Sequence, residues 1–139
     1  MGVKNRDLAM LQGILGIMQE IRALEERQAW QRERMTSLSH HLNGMPGGGT
    51  RPRGLDDAFA ALSRLEEEHE ARCLEYVRAM ERAEAALNGI DEPLRAFVVM
   101  KYMLGIPDST IRDELWLTRG AFDRMRDRVE NAESLEELG

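Results

Sequence analysis

A chain of 139 residues holds one compact domain, or a small domain with an extended helical arm. Its composition, 32% charged with 5% aromatic residues, suits long solvated helices and leaves little material for sheets, and hardly any segment alternates at period two. A net charge of −6 excludes global attraction to nucleic acid, so any such role must rest on a local basic patch.

The N-terminal residues are polar and the first apolar stretch is broken by Gln19, Glu20 and Arg22, which predicts no secretory leader. No run reaches the length of a membrane span. A single cysteine, Cys73, excludes an intramolecular disulfide and fits a reducing compartment. The expectation is a cytoplasmic protein with no membrane association.

A first helix is predicted over about residues 5–42. Met10, Ile14, Ile17, Ile21, Leu24, Gln28, Gln31, Met35, Leu38 and Leu42 follow one another in steps of four and three, the spacing of a coiled-coil seam. A second stripe, Leu8, Leu11, Leu15 and Met18, runs beside it. Either it packs on the C-terminal part of the chain or it forms the seam of a homodimer. Gly13 and Gly16 flank this stripe, and a helical glycine costs about 1 kcal/mol relative to alanine, which points to close backbone approach.

Residues 43–54 carry Gly44, Met45, Pro46, Gly47, Gly48, Gly49, Pro52 and Gly54 and form a loop. The glycine run lacks the Lys-Ser/Thr pair of a phosphate-binding loop. A second helix follows over about 55–89, its seam read as Leu55, Phe59, Leu62, Glu66, His69, Cys73, Tyr76, Met80, Ala83, Leu87 and Ile90. If the chain doubles back on the loop, partners such as Leu38 and Phe59, or Ile17 and Met80, share a constant sum of residue numbers. Gln31 then meets Glu66, and Gln28 meets His69, in polar layers that would set the register.

Beyond residue 90 a third helix is expected from Asp91 as its cap and Pro93 in the first turn, with the apolar run Leu94, Phe97, Val98, Met100, Tyr102, Met103 and Leu104 closed by Gly105. A short fourth helix runs from Ser109 to about Leu115. Thr118 caps a fifth, Arg119 to about Leu138, with Phe122, Met125, Val129 and Ala132 on one face. The fold class is therefore all-α: a long antiparallel coiled-coil hairpin (1–90) followed by a small three-helix, helix-turn-helix-like domain with an acidic tail (91–139).

On these residues the chain resembles a family of small phage and prophage proteins whose C-terminal domain is like region 4 of a sigma factor. The likeness rests on the Gly44-Met45-Pro46-Gly47-Gly48-Gly49 loop between charged helices and on Leu94-Arg95 through Lys101-Tyr102-Met103-Leu104-Gly105. It rests further on Ile111, Leu115, Thr118, Arg119, Phe122 and Arg124 at helix-turn-helix positions. The resemblance implies a transcriptional regulator, encoded by a phage or prophage and acting in the bacterial cytoplasm, that binds DNA through its fifth helix and contacts RNA polymerase or another protein. It implies a DNA-binding set of Thr118, Arg119, Gly120, Asp123, Arg124, Arg126 and Arg128. Arg112 stands where the family has a small residue, and Trp116 where it has a turn glycine.

Two other readings compete. Asp123 and Asp127 oppose Phe122 and Met125 on the last helix, where carboxylates repel a phosphate backbone, so the same fold suits a helical protein-interaction module. A small terminase-like packaging subunit also joins a helix-turn-helix to coiled-coil helices. No catalytic constellation is present, and neither a cofactor nor a metal is expected: His69 and Cys73 share a helix face but lack the further ligands zinc needs. An enzyme is not expected.

Overall fold

The computed structural model describes residues 3–43 and 53–139. The chain is all-α. Helix α1 spans Asp7–Asn43, α2 Arg53–Leu87, α3 Leu94–Val98, α4 Asp108–Glu114 and α5 Arg119–Asn131. α3 runs on into a wider π turn at Val99–Met103, and a 3-10 turn at Leu135–Leu138 ends the chain. No strand occurs among the described residues. The Gly-Met-Pro-Gly loop motif and the Leu42 side chain lie outside them.

Two compact units divide the chain, one of Met18–Glu75 and one of Met1–Ile17 with Tyr76–Gly139. The boundary crosses both long helices instead of falling at residue 90, because the start of α1 and the end of α2 carry the apolar residues that the C-terminal helices need.

In the Met18–Glu75 unit the two helices run antiparallel. Gln28 donates from Nε2 to the Leu65 carbonyl at 3.3 Å, Arg32 approaches Glu66 at 3.9 Å, and Arg72 pairs with Glu20 at 2.8 Å. The seam of α1 is as expected at Leu24, Gln28 and Gln31, all buried. The seam of α2 is shifted by one residue at alternate positions. Ala58 is fully buried while Phe59 is 47% exposed, and Leu65 is half-buried while Glu66 faces solvent. A position three residues on from Leu55 serves a helix seam as well as one four residues on, and alanine there lets the helices approach closely. The expected Gln31–Glu66 layer is therefore absent: Glu66 turns outward to Arg32, and Gln31 Oε1 is buried without a hydrogen-bond partner. His69 contacts Cys73, ring nitrogen to Sγ 3.7 Å, and among the described residues no third His, Cys, Asp or Glu gathers with them.

In the other unit, Leu8, Leu11 and Ile14 are 2%, 0% and 1% exposed, and Ala79, Ala83 and Leu87 of α2 and Ile90 just after it are buried as well. Leu8 and Leu11 are thus enclosed by the chain itself, the first of the two readings of that stripe. Leu15 is half-buried, its Cδ2 placed 3.0 Å from where a Cβ on Gly105 would lie; Met18, half-buried, belongs to the Met18–Glu75 unit. Asn5, 4% exposed, locks the start of α1: its Oδ1 accepts from the Asp7 N–H and its Nδ2 donates to the Val129 carbonyl, both at 3.0 Å.

Two local expectations are corrected. Asp91 does not cap α3, whose cap position is Pro93; the Glu92 carboxylate accepts from the Ala96 N–H at 3.2 Å and pairs with Arg95 Nε at 3.1 Å. α5 stops at Asn131 instead of running to Leu138, because Ala132 turns extended at ψ 149°. The segment after α5 packs back into its unit. Leu135 and Leu138 are 0% and 7% exposed, and the Leu135 N–H donates to Asp7 Oδ2 at 2.8 Å.

Gly13 and Gly16 mark no close approach either, since a Cβ added at either meets nothing within 4 Å. With no packing reason to keep them, the double variant Gly13→Ala/Gly16→Ala raises stability by about 1–2 kcal/mol, the helix-propensity gain of two such changes. Urea unfolding followed by circular dichroism reads it as a higher midpoint at unchanged slope.

Candidate nucleic-acid interface

The C-terminal helices are assembled on Phe97. Its fully buried ring makes edge-to-face contacts with Phe122 of α5, centroids 5.3 Å apart, and with Tyr102 at 6.3 Å. Such pairs add about 0.5–1.5 kcal/mol beyond area burial. Ile111 and Val129, both 0% exposed, complete this layer. Lys101 ties the π turn to α4 by pairing with Asp108 at 2.9 Å, and its ammonium lies 5.5 Å from the Phe122 ring centre.

The Tyr102 hydroxyl donates to Glu130 Oε1 at 3.2 Å. Burial, with the neighbouring Glu130 charge and that hydrogen bond, pushes the phenol well above its ordinary range. The folded state therefore holds the Tyr102 proton more tightly than the unfolded chain does. Stability from this group is complete below pH about 10 and is lost as pH rises beyond it. Alkaline titration of Tm should show that loss in the wild type and a shallower one in Tyr102→Phe.

α4 and α5 are joined by a tight turn. At the end of α4 the Leu115 N–H donates to Ile111 O, Trp116 takes φ 56°, and the Leu117 N–H returns to Arg112 O at 2.9 Å. A left-handed residue followed by this six-to-one bond is the Schellman ending of a helix, usually built with glycine. The turn thus keeps its geometry although its glycine position holds tryptophan. The Trp116 side chain is 92% exposed, so it recovers almost nothing by burial. Trp116→Gly is expected to stabilise the chain by about 0.5–1 kcal/mol, the left-handed penalty less the added freedom of the unfolded chain. Thermal unfolding measures it as a rise in Tm of roughly 2–4 °C.

Thr118 then starts α5: in extended conformation, its Oγ1 accepts from the Ala121 N–H at 3.1 Å. This matches the capping role expected of it, and it commits the hydroxyl to the helix. Arg119 lies exposed in the first turn. Gly120, Arg124, Asp127 and Arg128 project to solvent on the face away from Phe122 and Val129, and Asn131 extends that face by one more turn. Asn131 was not anticipated, although the series 120, 124, 127 leads to it.

Arg126 is placed otherwise. Half-buried on the flank, it forks between Asp123 at 3.3 Å and Asp127 at 3.4 Å. It is engaged with these carboxylates and not extended toward solvent, while Asp123 is half-buried beside it. Arg119, Arg124 and Arg128 form no ion pair with the described residues. Arg112 is half-buried on α4.

The arrangement is a helix held by its cap and its apolar back, presenting three guanidinium groups free of ion pairs with the described residues, that of Arg124 lying over Gly120 with Nη1 3.6 Å from where a Cβ would stand. Arginine forks of this kind suit phosphate oxygens and the guanine edge. Comparison with family models, with curated proteins and with solved structures returned no significant match.

Proposed function

We propose that the C-terminal helices bind duplex DNA with α5 in the major groove, and that the chain is a transcriptional regulator of the sigma-like phage type, working in the cytoplasm of a bacterial host. The single observation that supports this reading best is the α4–turn–α5 unit. Its left-handed turn is maintained at an unfavourable residue, and the helix it launches turns Arg119, Arg124 and Arg128 outward. Arg126 also supports it, because its fork offsets Asp123 and Asp127, the carboxylates that would otherwise repel phosphate.

In this reading Arg124 and Gly120 approach base edges, Arg119 and Arg128 hold phosphates, and Thr118 positions the helix. Arg126 acts by neutralising its neighbours and not by touching DNA. RNA polymerase is a fitting protein partner for such a regulator. The second reading, a helical protein-interaction module, is favoured by one observation: Trp116 offers a large aromatic surface to solvent at the rim of the motif.

Gel shift against duplex DNA flanking the gene, at two salt concentrations, tests the proposal. Binding should weaken as salt rises. The salt slope should fall by about one unit for each phosphate-contacting Arg replaced by Ala. Binding that survives Arg119→Ala/Arg124→Ala/Arg128→Ala unchanged, or no binding even at low salt, removes the proposal.

A further inference from the structure

A groove of about 790 Å³ lies along the helical arm, between α1 and α2 in the Met18–Glu75 unit. Its walls include Trp30, Ala61 and Leu65, and its rim carries Arg27, Arg64, Glu67 and Glu68. Trp30 is 59% exposed, a large apolar surface left in water. Gln31 also lines the groove, 9% exposed, and its Oε1 has no hydrogen-bond partner. A buried acceptor left unpaired destabilises this part of the arm. None of the four rim charges forms an ion pair with the described residues.

We infer that this groove is a self-association surface and that its occupant is the arm of a second copy of the chain. The charge pattern selects that occupant. Because Gln28 and Arg32 reach Leu65 and Glu66, Arg27 on α1 stands at the same level of the arm as Glu67 and Glu68 on α2. A second arm laid face to face, about a two-fold axis running along the helices, brings α1 of each copy over α2 of the other. Arg27 of each then meets Glu67 and Glu68 of its mate, and Trp30 of each covers the small Ala61 and the Leu65 of the other. The product is an antiparallel four-helix bundle, with unlike charges at its rim and a tryptophan pair in its core.

The inference does not rest on the DNA-binding reading. Sedimentation equilibrium of the full chain from about 1 to 100 µM tests it, a range in which a micromolar dimer assembles. The wild type dimerises. Trp30→Ala and Arg27→Glu each weaken the dimer at least about tenfold, a change of about 1.4 kcal/mol. Combining Arg27→Glu with Glu67→Arg and Glu68→Arg restores it, which a merely structural defect would not allow. All the substituted side chains are exposed, and unchanged helicity by circular dichroism verifies that each variant is folded. A chain that stays monomeric at the highest concentration overturns the inference and leaves the groove to a partner of another kind. So does a dimer indifferent to Trp30→Ala, or a charge swap that fails to restore association.

Discussion

Phe97→Ala is expected to lose about 3–5 kcal/mol of stability, the largest effect of any single truncation considered for this chain. The ring is wholly buried and lies at the junction of three elements, edge-on to Tyr102 from the π turn and to Phe122 from α5. Its removal forfeits the transfer energy of a phenyl group, leaves a cavity that short helices close only in part, and dissolves both aromatic pairs. A small domain has about 5–15 kcal/mol in total, so the variant should retain a much smaller folded margin. Unfolding in urea at 25 °C, monitored by helicity, should show a lower midpoint. A loss below about 1 kcal/mol would mean that the helices are not organised around this ring.

Leu11→Ala is expected to cost about 2–5 kcal/mol, and the cost should not depend on protein concentration. Leu11 has no exposed surface, and Leu8 and Ile14 to either side of it are almost as deeply buried. The start of α1 is also stitched to the C-terminal segment by the backbone, Lys4 N–H to Glu130 O at 2.9 Å and Arg6 N–H to Glu133 O at 3.2 Å. The stripe is therefore part of a subunit core. Were it a dimer seam, truncating Leu11 would destabilise in proportion to how much dimer was present, and Tm would rise with concentration in the wild type but not in the variant. Thermal melts across a hundredfold range of concentration, at constant buffer, separate these outcomes.

The parts of the fold that could be read from the residues were those where one physical signal dominated. The α1 seam is populated by bulky aliphatics at three-four spacing, and Ile14 and Leu24 are buried as that spacing requires. Thr118 has the side chain a cap needs and caps α5. The phase of α2 was harder. Phe59 and Ala58 both satisfy the spacing, and the larger residue carries the stronger hydrophobic expectation, yet the distance between the helices admits the smaller one. Gly13 and Gly16 were misleading because a helical glycine suggests a neighbour and here has none. The end of α5 carries neither glycine nor proline after Asn131, so periodicity alone extended it too far. The halt comes from the tail, whose Leu135 and Leu138 are drawn into the core while Asp7 accepts the Leu135 N–H.

The candidate interface was legible to a similar degree. The family resemblance named Gly120, Arg124 and Arg128, and they are exposed. It did not show that Arg126 would fold back between two carboxylates, because that depends on side-chain torsions and on partners three residues before and one residue after it. Nor did it show that the turn would keep its left-handed residue. A penalty of about 1–2 kcal/mol at Trp116 is small beside the burial of Ile111, Phe122 and Val129, so the packing of the helices overrules the local preference. Asn131 was missed for a simpler reason: the outward series ends with it, one turn past Arg128.

The claim on which the functional account depends is that α5 is the surface that meets DNA. Amide chemical shifts of the isotope-labelled 139-residue chain, followed while duplex DNA from beside its gene is added, test it residue by residue. The account predicts perturbations concentrated from Thr118 to Arg128, strongest at Gly120 and Arg124, and reversed by added salt. Shifts confined to the helical arm, or none at all at low salt, would contradict it.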